Sequence, residues 1–248
     1  MIEFINSNIT IFAVLMATGV LAGILAGLLG VGGGIVIVPV LFFLFQKLGV
    51  SPESAMVIAT ATSLATIVPT SISSILAHKQ KGNIDYSLLK RWGVFIFVGV
   101  LIGSGLVTRI DGTWLAGLFG VIATLAALNM LFRSTKTALF KQLPNAIGQR
   151  IMATSIGFLS AMVGIGGGTI SVPLLTLCSY NAHKAVGTAA AIGLIIALPG
   201  ALTLLFLGNT PADAPAGTIG LVNIIGFVCI VPLTIIFAPI GVLLATRL

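Results

Sequence analysis

Long apolar runs separated by short polar connections organise the chain. The clearest runs are Ile11–Leu29, Ala55–Leu76, Trp92–Val107, Trp114–Phe132, Ala185–Leu207 and Ile219–Thr246. About 20 consecutive apolar residues cross the hydrocarbon core of a bilayer as a helix, so each run predicts a membrane-spanning helix. Two more apolar stretches are interrupted by glycine: "GLLGVGGGIVIVPVL" from Gly27 to Leu41, and "AMVGIGGGTISVPLL" from Ala161 to Leu175. A backbone break inside a membrane leaves N–H and C=O groups unpaired. It persists only where protein buries it or a polar cavity wets it. Both stretches therefore predict glycine-broken helical hairpins. In the first, one helix ends near Leu29 and the next starts near Ile35.

The two stretches repeat one another. Subtracting 134 carries Gly164 onto Gly30, Gly166, Gly167 and Gly168 onto Gly32, Gly33 and Gly34, and Pro173 onto Pro39. The match continues at a shift of 130, with Ala185 on Ala55, Leu194 on Leu64 and Pro199 on Pro69. It closes at a shift of 138, with Gly241 on Gly103 and Arg247 on Arg109. The result is one integral membrane domain over residues 1–248. It holds repeat 1 (8–110), a linker helix with a cytoplasmic loop (111–144) and repeat 2 (145–248). The fold class expected is an all-α polytopic membrane protein.

Composition agrees with the pattern. Of the 248 residues, 58% are hydrophobic and 7% charged, and the mean hydropathy is +1.21. A soluble domain carries roughly 25% charged residues, so lipid is the expected surroundings. The net charge of +7 comes from basic residues that lie almost wholly between the runs. Residues 77–91 hold Lys79, Lys81, Lys90 and Arg91. Residues 133–150 hold Arg133, Lys136, Lys141 and Arg150, and residues 208–218 hold no basic residue. Positive charge marks cytoplasmic connections, so the first two connections are expected inside and the third outside. This reading accounts for the basic charge without a nucleic-acid partner. Threading the chain puts the N-terminus outside and the C-terminus in the cytoplasm of a multi-pass inner (plasma) membrane protein. The two units then start on opposite faces, the inverted-repeat arrangement of many transporters. The opening "MIEFINSNIT" lacks the basic region of a cleavable signal peptide.

The chemistry available is narrow. The five acidic residues, Glu3, Glu53, Asp85, Asp111 and Asp213, all fall outside the predicted spans, so no carboxylate proton relay is expected. An anion would have to be held by backbone N–H groups and hydroxyls. A helix restarting after a glycine break offers free N–H groups and the positive end of its dipole, which together form an anion site. The candidate substrate-binding residues are Gly30, Gly32, Gly33, Gly34, Gly164, Gly166, Gly167 and Gly168, with the hydroxyls of Ser63, Thr66, Thr169 and Thr188. The competing use of the glycines is close helix packing, as at Gly23-x-x-x-Gly27 and Gly99-x-x-x-Gly103. Neither motif is a dinucleotide fingerprint, since position 35 is Ile, and neither has the Gly-Lys-Ser/Thr of a P-loop. His78 and His183 read as interfacial polar residues, and Cys178 and Cys229 as packing residues. No metal or cofactor is expected.

The doubled "GVGGGIVIVPVL" and "GIGGGTISVPLL", the "AVGT" at Ala185–Thr188 and the turn from His78 to "GNID" resemble the TauE/SafE family of sulfite exporters. This family is also called probable membrane transporters, and it is similar to 4-toluene sulfonate uptake permeases. The resemblance covers essentially the whole chain. It implies transport of small sulfur-containing or organic anions such as sulfite, thiosulfate, sulfonates or sulfoacetate, with export favoured. A passive anion channel and a proton- or sodium-coupled uptake carrier are the alternatives. Enzyme activity is not expected, because the Gly-x-Ser-Gly of an intramembrane serine protease and the paired membrane aspartates of an aspartyl type are both missing. The expected partners are a small anionic substrate and the lipid bilayer, and a homodimer is left open.

Overall fold

A computed structural model describes residues 2–132 and 142–245. The helices are α1 (Ile2–Leu29), α2 (Gly34–Lys47), α3 (Pro52–Gln80), α4 (Tyr86–Val107), α5 (Gly112–Phe132), α6 (Ala146–Val163), α7 (Gly168–Leu177), α8 (Ala182–Phe206) and α9 (Ile224–Ala245). Arg133, Lys136, Lys141, Thr246 and Arg247, which carry part of the orientation argument, lie outside the described residues. Among the described residues, seven helices are long and apolar enough to cross a membrane. One of them, α6, was not among the six clearest apolar runs, because Gln149, Arg150, Thr154 and Ser155 dilute its hydropathy. The returning arms α2 and α7, of 14 and 10 residues, are shorter than a span.

The run expected from Ile219 begins differently. Strands β1 (Thr218–Ile219) and β2 (Val222–Asn223) pair antiparallel, Thr218 opposite Asn223, and α9 starts only at Ile224. Among the described residues, the regular structure is therefore helical apart from this short hairpin. Its turn passes Gly220, where a Cβ would lie 2.1 Å from the Leu205 carbonyl oxygen.

α3 is buried along most of its length and packs on α8, while the linker helix α5 is mostly exposed. Around this centre α1 packs on α9 and α4 on α6. The glycines of the expected packing motifs make those two contacts. A Cβ at Gly27 would lie 2.0 Å from Ala238 O, and one at Gly99 would lie 2.1 Å from Thr154 O. Contacts recur when residues are exchanged for their counterparts in the other unit. Gly103 abuts Phe158 O, and Gly241 abuts Ile24 O. Gly157 abuts Ile96, and Gly23 abuts Thr234.

Candidate functional site

How the helices begin separates two of them from four others. α3, α4, α6 and α8 start behind Ser51, Asp85, Asn145 and Asn181, whose side chains accept backbone N–H bonds of the first turn. Such caps satisfy donors that a helix end leaves free. α2 and α7 start behind Gly33 and Gly167, and neither has a side-chain cap. Both starts lie inside the protein, packed against backbone and against the side chains of Ile67 and Ile192 respectively.

The two motifs touch. A Cβ on Gly168 would sit 2.1 Å from Gly30 O, one on Gly166 2.1 Å from Val31 O, and one on Gly34 2.5 Å from Gly164 O. Any side chain there would push the backbones apart. The structure thus brings all eight candidate glycines into one region and also gives them a packing role. The two crossings are not conformational copies. Gly30, Gly32 and Gly33 all have positive φ, whereas in the second motif only Gly164 does, and Gly167 is at an ordinary helical φ of −54°.

The neighbours of the motifs set the true register between units. Gly164 lies against Thr60 and accepts a bond from Ser63 Oγ at 2.7 Å, while Gly30 lies against Val186 and Ala189. Thr188 Oγ1 accepts from Asp85 N at 2.9 Å, and Thr62 Oγ1 accepts from Asn223 N at 2.9 Å. Subtracting 126 takes Val186, Thr188 and Ala189 to Thr60, Thr62 and Ser63. Here the register is therefore 126 and not the 130 read from the letters, because α3 exceeds α8 by one helical turn at its start. The Thr188 counterpart is Thr62.

Ser63, Thr66 and Thr188 already serve the fold. Ser63 holds the Gly164 loop, Thr66 bonds back to Ser63 O at 2.7 Å, and Thr188 receives the Asp85 amide. Thr169 differs, since its buried hydroxyl has no partner. Thr169 and Gly168 help line a cavity of about 170 Å³, together with Val31, Ile35, Ala126 and Asn129. Thr60, Ser71, Ser74, Ser160 and Ser171 also carry buried hydroxyls without partners. His78 is buried, and its Nε2 lies 3.2 Å from Gly27 O at the end of α1. His183 is exposed.

Sequence reasoning missed one pair. A Cβ built on Gly193 would have only Ser71 Oγ, at 3.0 Å, and Gly167 N, at 3.8 Å, within 4 Å outside its own helix. A lone glycine in an apolar helix carries no signal of its own. Its meaning comes from the α3 and α7 groups that face it.

Outside the spans, two carboxylates hold helix starts. Asp85 caps α4 and accepts the Tyr180 hydroxyl just before α8; that bond, more than its backbone contacts, lowers the Asp85 pKa to about 2. Asp213 accepts from Ser51 N at 2.7 Å at the start of α3, and bonds from Ser54 and Ser51 lower its pKa to about 2.

Comparison with known proteins agrees with this architecture. Residues 15–248 match the family described as Sulfite exporter TauE/SafE. A Haemophilus influenzae protein named "Probable membrane transporter protein" is 33% identical over 199 residues, covering 80% of this chain and 75% of its own. A similarly named protein of Methanocaldococcus jannaschii is 30% identical, covering 90% of this chain and 80% of its own. The probable membrane transporter YunE of Bacillus subtilis is 27% identical, with 80% of each chain covered. No solved structure matches. A family match over nearly the whole chain, on a protein with seven candidate spans, makes this chain a member of the TauE/SafE family of membrane transporters.

Proposed function

We propose that the protein is a secondary carrier that exports small sulfur-containing or organic anions, of the sulfite, thiosulfate, sulfonate or sulfoacetate kind, across the inner membrane. The observation that carries this reading is the pair of glycine-started, side-chain-uncapped helix ends, with unpartnered buried hydroxyls beside them. Free helix N-termini attract anions, and a fold that serves only packing has no need to leave them without caps. The recurrence of contacts between counterpart residues supports inverted repeats, and the Lys/Arg distribution supports an external N-terminus and a cytoplasmic C-terminus. Transport, not catalysis, is the role the family supports.

The charge inventory supports export. No Asp, Glu, Lys or Arg is buried among the described residues, which favours a carrier that moves its anion without proton coupling. An inside-negative potential drives a monovalent anion outward by about 2.3 kcal/mol per 100 mV. In proteoliposomes, reversing the sign of a valinomycin potential should reverse the net flux of sulfite or a sulfonate. Flux that ignores the potential and follows an imposed proton or sodium gradient overturns potential-driven export. Non-saturable flux without counterflow makes the protein a channel.

A further inference from the structure

Beyond the carried anion, we propose a site for lipid: a pocket at the starts of α4 and α6 holds the phosphodiester of an anionic phospholipid on Arg91 and Arg150.

The pocket arises because α4 and α6 run side by side in the same direction. Gly99 abuts Thr154 and Gly103 abuts Phe158, so the pairing advances along both helices together. Both helices therefore begin on one face of the membrane, the face that the Lys/Arg distribution supports as cytoplasmic. Near those starts lies a cavity of about 330 Å³. Its walls are tied together by the protein itself. The buried Trp92 donates its indole N–H to Gln149 Oε1 at 3.2 Å, Gln149 Nε2 donates to Pro144 O at 3.0 Å, and Asn145 caps α6.

Two arginines line this cavity, Arg91 from the second turn of α4 and Arg150 from the second turn of α6. Each is held by one contact that leaves donors free. Arg91 Nε donates to Ser87 O at 3.3 Å, which leaves its two terminal nitrogens. The guanidinium carbon of Arg150 stands over the Phe95 ring, 5.4 Å from its centroid. A guanidinium over a ring uses its flat face and keeps its N–H edge for an acceptor. Among the described residues neither arginine is paired with a carboxylate, and no Asp or Glu lines the cavity. Two unpaired guanidiniums at one cavity favour an anion, and their fork matches the paired oxygens of a phosphate. Basic pockets between transmembrane helices on the cytoplasmic side take anionic headgroups in this way.

The surroundings of the cavity choose lipid over a soluble anion. Ile147 and Ile151 stand one position along α6 from the lining residues Ala146 and Arg150, and they are 64% and 62% exposed. Val94, next to Phe95 on α4, is 67% exposed. A sulfite-like ion has nothing to place on these apolar strips, whereas acyl chains cover them. The lack of a carboxylate sets the headgroup. An ethanolamine or choline cation would meet two guanidiniums and no acid, so the lipid is one of net negative charge.

Native mass spectrometry of the purified full chain tests the site, with phosphatidylglycerol and phosphatidylethanolamine of identical acyl chains as probes. Wild type should bind phosphatidylglycerol at least about tenfold more tightly than phosphatidylethanolamine. Each basic residue near the surface adds several-fold to the binding of an anionic lipid, so Arg91→Gln combined with Arg150→Gln should weaken phosphatidylglycerol by roughly 10- to 30-fold. Lys79→Gln combined with Lys81→Gln removes the same charge from the same face but away from the cavity, and should weaken it by less than about threefold. Arg91→Lys combined with Arg150→Lys keeps the charge, loses the fork and should fall between. Thermal midpoints in lipid-free detergent should agree among these variants, which separates lost binding from lost folding. Equal losses in the arginine and lysine pairs would make lipid retention a property of the whole basic face and overturn the site. Wild-type affinity in the doubly glutamine-substituted arginine variant overturns it as well. Displacement of phosphatidylglycerol by millimolar inorganic phosphate or methanesulfonate would assign the pocket to a soluble anion and overturn the lipid. Equal binding of the two lipids overturns the charge selection.

Discussion

The glycine breaks of the two units share a sequence pattern and differ in what they ask of it. The first crossing turns through three left-handed glycines and ends at a helix start covered by Ile67. The second uses one left-handed glycine, Gly164, and ends at a helix start packed against Ile192 and Gly193. The same sequence pattern thus serves close backbone approach in both crossings, while the left-handed turn is drawn out over three glycines in one and confined to a single glycine in the other.

The largest effects should come from the glycines themselves, and they should be unequal. Gly33 sits at φ 82°, and a Cβ there would lie 2.9 Å from Ala22 O. Left-handed backbone costs a residue with a side chain roughly 1–2 kcal/mol, and the contact with fixed backbone adds to it. Gly167 has helical φ, so a side chain there carries no left-handed cost, although a Cβ would lie 2.4 Å from Cγ2 of the buried Ile192 and 3.1 Å from Gly193 N. Gly33→Ala should therefore lower the thermal midpoint in detergent more than Gly167→Ala, while valine at either position should abolish anion flux in correctly inserted protein. A larger stability loss at Gly167 would erase the distinction drawn between the crossings. Normal flux through both valine variants would reduce the motifs to packing.

An intermediate effect should separate the two threonines that hold the turns. Thr62 receives the amide of Asn223, which is buried, whereas Thr188 receives the amide of Asp85 in a half-exposed turn. Valine at position 62 leaves a buried N–H unpaired, at a cost of about 1–3 kcal/mol, while water can replace the lost acceptor at position 188 and keep the loss below about 1 kcal/mol. Thermal unfolding of Thr62→Val and Thr188→Val measures both. Equal losses would mean that the two turns are solvated alike.

Much of this architecture was legible in the letters. The break near Leu29, the restart within one residue of Ile35 and the use of Gly23, Gly27, Gly99 and Gly103 in close packing could be read from hydropathy and spacing, but not the helices they pack on. The register was not legible. Pro199 aligns with Pro69 at a shift of 130, yet the contacts of Thr62, Thr188, Gly30 and Gly164 require 126. α2 and α3 are each one turn longer than α7 and α8, and an inserted turn inside an apolar helix leaves no gap in a hydrophobic pattern. The contact of Ser71 with Gly193 was hidden for the same reason: Ser71 stands in a run of hydroxyls and Gly193 in a run of aliphatics. Only the facing of α3 and α8 joins them.

The smallest effect concerns the two carboxylates that hold the starts of α8 and α3. Asp85 bonds a tyrosine hydroxyl, whereas Asp213 bonds a backbone amide and serine hydroxyls. Tyr180, in turn, has its own pKa raised by burial and by Asp85. The folded pKa of Asp85 is depressed to about 2 from an ordinary 3.8. A depressed carboxylate contributes stability that is fully present above its unfolded pKa and is lost as pH falls through the folded value. The contribution of Asp85 is therefore constant from pH 5 to 8 and fades between about 4 and 2. The group is largely exposed and screened, so its worth is at most about 1 kcal/mol. Tyr180→Phe removes the leading cause of the shift and should bring the Asp85 pKa back towards its ordinary range, leaving the Asp213 contact unaltered. The variant should match wild type in thermal midpoint near pH 7 to within that small amount, and its midpoint should begin to fall at a higher pH on acidification. Should Tyr180→Phe instead change the pH dependence of flux between pH 6 and 8, Asp85 would be titrating in the transport cycle, and the contact would be a moving gate.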